Sequence, residues 1–296
     1  MSKLREIKRR ITSVKNIEKV THAMQMVAAS RMRKAQDRAS QGKAYTEKVK
    51  ELLLTVGVGN TASFHPMFDT SYSDSNVVLL VVFSTQRGLA GGLPGNMLRH
   101  VRTVMKGLIA KGKTIQVVSI GKKIGEQLAS SGVEVIADFS GMSEKPSTAD
   151  IRPVTKLVEE MYVSKQVGSV MVIYSDFINP VTYVPVSRVL LPFDMAMFSQ
   201  FDDKYEDGSE AKVSTEFVFE PNAHAILDAL IPRYLETQMY QARLETVASE
   251  YSARMIAMKS ATDNAKDLNE SLKITFNKSR QAQITQEISE IVAASA

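Results

Sequence analysis

Two stretches free of helix breakers constrain this chain more than anything else in it. Residues 3 to about 56 contain no Pro, and no Gly before Gly42; from Arg233 to Ala296 there is neither. At 1.5 Å per residue these predict helices of roughly 80 and 96 Å, far longer than a globular domain needs. In the first, Leu4, Ile7, Ile11, Val14, Ile17, Val20, Met24 and Val27 recur at steps of three and four, the narrow stripe of a coiled-coil seam. One short step in the middle reads as a stammer, which should locally overwind the pair. In the second, Leu244, Val247, Tyr251, Met258, Ala261, Ala265, Leu268 and Leu272 keep an a/d register, with Arg254 in the slot that breaks it. Pro221 is expected to open this helix, where its missing N–H is harmless, and Pro232 to kink or break it near Ile231. Lying at opposite ends of the chain, the two helices are best paired antiparallel.

Between them the period changes. Gly57, Gly59, Asn60 and Pro66 read as a helix stop and loop. Asn76 to Ser84 is a continuous β-branched run, the mark of a strand buried on both faces. A glycine turn, Arg87 to Gly92, leads into a helix over Leu93–Lys111. Strands follow at Thr114–Ile120, Val133–Ile136 and Ser169–Tyr174, alternating with helices at Lys122–Ser130 and Asp150–Ser164. This alternation predicts βαβ units and a mostly parallel sheet. Val181 to Pro192 is strand-like, and its Pro185 assigns it to an edge. Residues 194 to 212 read as an exposed loop, and Ser214 to Glu220 as the strand that closes the body. The division is therefore 1–60, 61–220 and 221–296.

Composition narrows the function. Apolar residues make up 44% of the chain and charged residues 23%, enough for a core and too many apolar groups for wholesale disorder. No apolar run is long enough to span a membrane. Cys is absent, which removes disulfides, thiol nucleophiles and thiolate metal sites, and His22, His65, His100 and His224 have no ligand spacing. Residues 1 to 50 hold fourteen Lys or Arg against Glu6, Glu18, Asp37 and Glu47; the whole chain is only +5, so the remainder is net negative. A basic arm on such a body implies an acidic partner, either nucleic acid, anionic lipid or an acidic protein loop, or else a solvated helix face.

The turn RGLAGGLPGN follows a buried strand, where a phosphate-binding loop would sit, yet neither G-x-G-x-x-G nor G-x-x-x-x-G-K-[ST] is present. It is read as a tight turn with close backbone packing. No G-x-S-x-G elbow exists, so no catalytic residue, cofactor or metal ligand is assigned. The strongest local signals are on the helices. Met26-Val27-Ala28-Ala29-Ser30 is small and apolar and invites close helix approach, and Arg31, Arg33, Lys34 and Arg38 follow as a basic collar. Near the C-terminus Arg280, Gln281 and Thr285 do not share one stripe, as suits a helix surrounded by partners.

MVAASRMRKAQ, RGLAGGL, ASEYSARMIAMKSATDNA and NKSRQAQITQEISEIV together resemble the γ subunit of F-type ATP synthase, in order and over essentially the whole chain. The resemblance implies an α/β fold: a Rossmann-like body inserted between two terminal helices that form an antiparallel coiled coil. It implies a non-catalytic rotor shaft in the cavity of an α3β3 ring, coupling ion-driven rotation of the c-subunit ring to ATP synthesis or hydrolysis in the β subunits. The partners would be the α and β subunits, the ε subunit and the c ring, with no nucleic acid, no cofactor, and membrane contact only through the complex. Arg31, Arg33 and Lys34, and the polar set Arg280, Gln281 and Thr285, fall on positions the family uses against β. Ile284, Ile288, Ile291 and Val292 would form an apolar shaft tip in a sleeve of α and β chains. Roughly 15 Å of unpaired helix is expected at this end.

Within that resemblance Ala90 stands where Cys is frequent, Gln86 where an acid is common, His22 in place of a frequent Lys, and Ala294 where Gly is usual. No Cys-bearing insert is present, so thiol switching is not expected. The N-terminus MSKLREIKRRI lacks the apolar run of a signal peptide, and Glu6 argues against a transit peptide. A bacterial protein, peripheral on the cytoplasmic face of the inner membrane, is the expectation.

Overall fold

The fold is a computed structural model that describes residues 2–57, 67–68, 75–130, 132–143, 146–193, 220 and 222–295. The element order is α1 (Ser2–Gly57), β1 (Val77–Phe83), α2 (Leu93–Ala110), β2 (Thr114–Ile120), α3 (Lys122–Ala129), β3 (Val135–Asp138), α4 (Thr148–Val163), β4 (Ser169–Phe177), β5 (Tyr183–Leu191) and α5 (Ala223–Ser295). Gly59, Asn60, Pro66, the loop 194–212, the strand expected from Ser214 and Pro221 lie outside the described residues, as do the boundaries drawn at 60/61 and 220/221. Two compact units emerge: Met1–Arg31 with Leu89–Gly91 and Tyr251–Ala296, and Met32–Gly88 with Gly92–Glu250.

The second unit is built on a five-stranded sheet of order β3-β2-β1-β4-β5. The first four strands are parallel and β5 runs antiparallel to β4. β1 is central, and its residues alternate between two cores. Leu79, Val81 and Phe83 join α4, α5 and the end of α1 through Ile151, Leu235 and Leu53. Val78, Leu80 and Val82 join α2 and α3 through Val101 and Ile124. Burial on both faces is why this strand reads as an unbroken apolar run. Pro185 stands on the edge strand β5, opposite Ser175, where a missing N–H is tolerated. α4 starts at Thr148, ahead of the expected Asp150, because Asp150 reaches back to accept the Ser147 N–H at 2.8 Å as in a capping box.

Pro232 does not break α5. The helix runs from Ala223 to Ser295 through it. An interior Pro costs about 3 kcal/mol or more, whereas Leu227, Ile231, Tyr234 and Leu235 are all buried against the sheet, each contributing about 1.5–3 kcal/mol. Packing outweighs the lost hydrogen bond. The helix is opened by Asn222, whose Oδ1 accepts the Ala225 N–H at 2.8 Å.

In this unit α1 and α5 run antiparallel. Arg233 Nε donates to the Tyr45 hydroxyl at 3.2 Å, and further along Gln241 Nε2 donates to Ala39 O at 3.1 Å. Gly42 allows the close approach: a Cβ there would stand 2.6 Å from Gln241 Oε1 and 2.9 Å from Leu244 Cδ1.

The first unit has its own antiparallel pairing, marked by Arg31 over the Tyr251 ring and by Thr21 against Thr262. Here the seam differs from the expected one. Ile17, Val20 and Val27 are more than half exposed; Leu4, Met24 and Ala29 are half-buried, and the covered line runs through Ile7, Ile11, Val14, Glu18, Thr21, Gln25 and Ala28. From Ile7 to Ala28 that line steps four and three without interruption, so it needs no stammer. On α5, Leu268 is 51% exposed and Asn269 only 7%; the seam runs through Met258, Thr262, Ala265, Asn269 and Leu272. Ala261 is only half buried. Arg254 does fill its seam slot, buried with its guanidinium 5.7 Å from the Tyr251 ring centroid.

Candidate functional site

The partner-facing residues expected from sequence lie on the two helices. Arg31, Arg33, Lys34 and Arg38 are all exposed on α1, whereas Met32, Ala35 and Ala39 turn inward. Arg31 is not a bare charge: its guanidinium lies 5.9 Å from the Tyr251 ring centroid, which fixes its direction. Arg33 and Lys34 point away from the helix pair. Of the small apolar run before them, only Ala28 is fully buried, and Met26 and Val27 face outward. Ala28 is the residue that permits close approach; the other two add to an outward apolar stripe.

At the far end of α5, Arg280, Gln281 and Thr285 are exposed. The Thr285 hydroxyl donates to Gln281 O at 3.0 Å, so this side chain lies along the helix beside Gln281, and Arg280 projects about 100° away. Among the described side chains Gln283 is the last half-buried one; from Ile284 to Ala294 every residue is exposed. Ile284, Ile288, Ile291 and Val292 are 47–68% exposed. About 18 Å of α5 therefore extends as a single helix. Its own i,i+4 bonds stiffen it: Gln283 Nε2 donates to Glu287 at 2.7 Å, and Gln286 Nε2 to Glu290 at 2.9 Å. A lone helix carrying an apolar stripe is a surface awaiting cover.

The glycine turn is a packing device, as its sequence implied. Leu89 and Gly91 both adopt positive φ, at 60° and 54°. A Cβ on Gly91 would meet Ala257 Cβ at 3.7 Å, so turn and helix lie backbone to backbone.

A cavity of about 520 Å³ in the second unit was not foreseen. Lys50, Tyr174, Asp176, Arg188, Gln241 and Glu245 are among the residues that line it. Arg188 lies 3.7 Å from Asp176 and 5.5 Å from the Tyr174 ring centroid, and Gln241 Nε2 donates to Glu245 at 2.8 Å. Burial pushes the Tyr174 hydroxyl up, with the Glu245 charge adding to the rise. Gln241 Oε1 and Glu245 Oε2 are buried there without a hydrogen-bond partner, and no nucleophile–base pair stands among these groups. Their separation along the chain left no local pattern to find. Among the described residues no group of three or more His, Asp or Glu could hold a metal ion, and no helix is long and apolar enough to cross a membrane.

Comparison with known proteins agrees with this geometry. The family model described as ATP synthase matches residues 3–296. The chain is similar to the ATP synthase gamma chain of Paraburkholderia phytofirmans, 37% identical over 296 residues, covering 100% of this chain and 99% of the relative. Among solved structures it is similar to the rotor of Euglena gracilis mitochondrial ATP synthase in rotational state 1. The TM-score is 0.63 at 18% identity, over 96% of this chain and 99% of that one. The OSCP/F1/c-ring structure from the same organism in rotational state 3 gives 0.64 at 17% identity, over 99% and 93%. The Tetrahymena thermophila mitochondrial central stalk/c-ring gives 0.54 at 22%, over 82% and 99%. At such identities these structures speak for the fold.

Proposed function

The chain belongs to the γ-chain family of ATP synthase, and from that membership we propose that it is the central shaft of a rotary ATP synthase. Catalysis resides in the β subunits. This chain turns with the c ring inside the α3β3 ring and carries each β site through its affinity states. The observation that carries this reading is the whole-length likeness to a bacterial γ chain at 37% identity. The body rests against ε and the c ring, which places the chain on the cytoplasmic face of a bacterial inner membrane, peripheral and within the complex.

The exposed residues take up distinct roles. Arg31, Arg33 and Lys34 meet an acidic β loop. Arg280, Gln281 and Thr285 form and break polar contacts with β as the shaft turns. Ile284, Ile288, Ile291 and Val292 run in an apolar sleeve of α and β chains. A bearing must restrain sideways motion without preferring an orientation, and non-directional apolar contact suits that better than hydrogen bonds. What supports the sleeve is that Ile284, Ile288 and Ile291 are 47–68% exposed.

Co-expression with three α and three β chains tests the assignment: a complex with ATP-driven rotation is expected, and a chain that never co-purifies with them overturns it. Deleting Ile291 to Ala296 tests the bearing. The complex should inactivate at lower temperature while its single-particle rotation rate at room temperature stays near normal. Unchanged heat stability with abolished rotation would make the tip a torque transmitter instead.

A further inference from the structure

The direction of winding in the sheet reverses beside β1, with β2 and β3 on one side and β4 and β5 on the other. In open α/β sheets the crevice beyond the strands' carboxyl ends at such a point is where ligands bind, commonly through phosphate. In this chain α5 covers that place. Ser249 Oγ donates to Ser175 O near the end of β4 at 3.2 Å. Beyond the end of β1, Gln86 N–H donates to Glu250 Oε2 at 3.1 Å and Arg87 N–H to Glu250 Oε1 at 3.3 Å. Glu250 is only 6% exposed. Successive main-chain N–H groups converging on the two oxygens of one carboxylate form the concavity by which loops hold oxyanions. Three buried hydroxyls, Ser84 Oγ, Thr85 Oγ1 and Ser175 Oγ, stand at the same strand ends without a hydrogen-bond partner. The neighbourhood is polar well beyond what packing a helix on a sheet requires.

We propose that the Gln86–Arg87 turn is an oxyanion site that the chain fills with its own Glu250, so that α5 is held to the sheet as a built-in ligand in the position a phosphate or free carboxylate would take. The tethered carboxylate has a high effective concentration at the turn, so the intact chain is indifferent to dissolved anions. Removing the carboxylate frees the site for one.

The test uses the full chain and two variants, Glu250→Ala and Glu250→Gln, with inorganic phosphate, acetate or chloride at matched ionic strength. Amide hydrogen exchange at Gln86 and Arg87 and the thermal midpoint are read together. Glu250→Ala should lower the midpoint and speed exchange at both amides by about tenfold or more. Phosphate or acetate should restore part of both, chloride neither, and the intact chain should not respond. A variant damaged only in packing would gain nothing specific from an oxyanion. If Glu250→Ala does not fold, Glu250→Gln decides: it retains one acceptor oxygen, so exchange should rise about tenfold at one of the two amides with the rest of the sheet unchanged. Unchanged exchange at both amides in a folded variant, or recovery that does not distinguish phosphate and acetate from chloride, overturns the proposal.

Discussion

Thr21 and Thr262 meet hydroxyl to hydroxyl at 2.8 Å, joining helices that begin at opposite ends of the chain. Each hydroxyl has one proton. Thr21 can give its own to Ile17 O at 3.0 Å or Glu18 O at 3.1 Å, and Thr262 can give its own across the seam to Thr21 or to Met258 O, both at 2.8 Å. Thr262→Val should therefore cost about 1 kcal/mol. The double variant Thr21→Val with Thr262→Val should cost no more than that, because both polar groups then leave together. Urea unfolding of the three variants measures it; strictly additive losses would mean the two hydroxyls do not cooperate.

The collar prediction separates charge from stacking. Arg33 and Lys34 are exposed on the outside of α1, whereas Arg31 also lies on Tyr251. Arg33→Ala with Lys34→Ala should weaken coupling of ATP hydrolysis to proton pumping in the assembled complex, most at low salt, where exposed charges are least screened. Either change alone should be nearly silent, since single exposed ion pairs contribute little. Wild-type pumping in the double variant at every ionic strength would leave the collar as solvated surface.

Arg280→Leu and Gln281→Leu test the distal polar set. A charge-assisted hydrogen bond contributes roughly 1.5–3 kcal/mol, and one made in a single rotational state alters barriers between states more than it alters assembly. The complex should purify intact with lowered turnover. Normal ATPase and synthesis rates in both would make these ordinary helix surface.

Glu245 gives a pH signature. Burial pushes its carboxyl up to about 7, the Gln241 hydrogen bond works against that rise, and Asp176, bonded to it and charged, adds to it. Lys43, Glu47 and Lys50 of α1, Asp176 of β4 and Arg188 of β5 line the same cavity. The unfolded chain releases this proton at glutamate's ordinary, lower value while the folded chain still holds it. Stability from this group therefore falls as pH rises from that value to about 7 and is level above it. Glu245→Gln should gain on the wild type between about pH 5 and pH 8 in urea midpoint. A constant difference across that range would refute the assignment.

Length without breakers announced both helices, and the apolar run of β1 announced a strand covered on two sides. The seam was harder to see, for a physical reason. α1 carries two apolar stripes, and hydrophobic spacing cannot say which one pairs with α5. Ile17, Val20 and Val27 look like core and face outward, while Thr21 and Asn269 look like surface and lie inside. A helix enclosed by other chains needs apolar residues on its outer side too, so period alone misassigns it. At Pro232 the local cost predicts a kink or a break, and tertiary packing carries the helix through without the break. Glu250 was invisible as a site because its partners are backbone N–H groups of a turn far away in sequence.

The core that embraces β1 draws Val49 and Leu53 from α1 and Leu227, Ile231 and Leu235 from α5. A ribosome delivers the first of these groups early and the second only near the end of synthesis. Until then that flank of β1 has only α4 and the end of α1 to cover it. The nascent chain carries that half-covered flank until α5 is made, which makes it a natural client for a chaperone. A stop codon placed shortly before Leu227 would yield a product that cannot close its larger core, so damage near the end of this message should be felt first as a body that fails to fold.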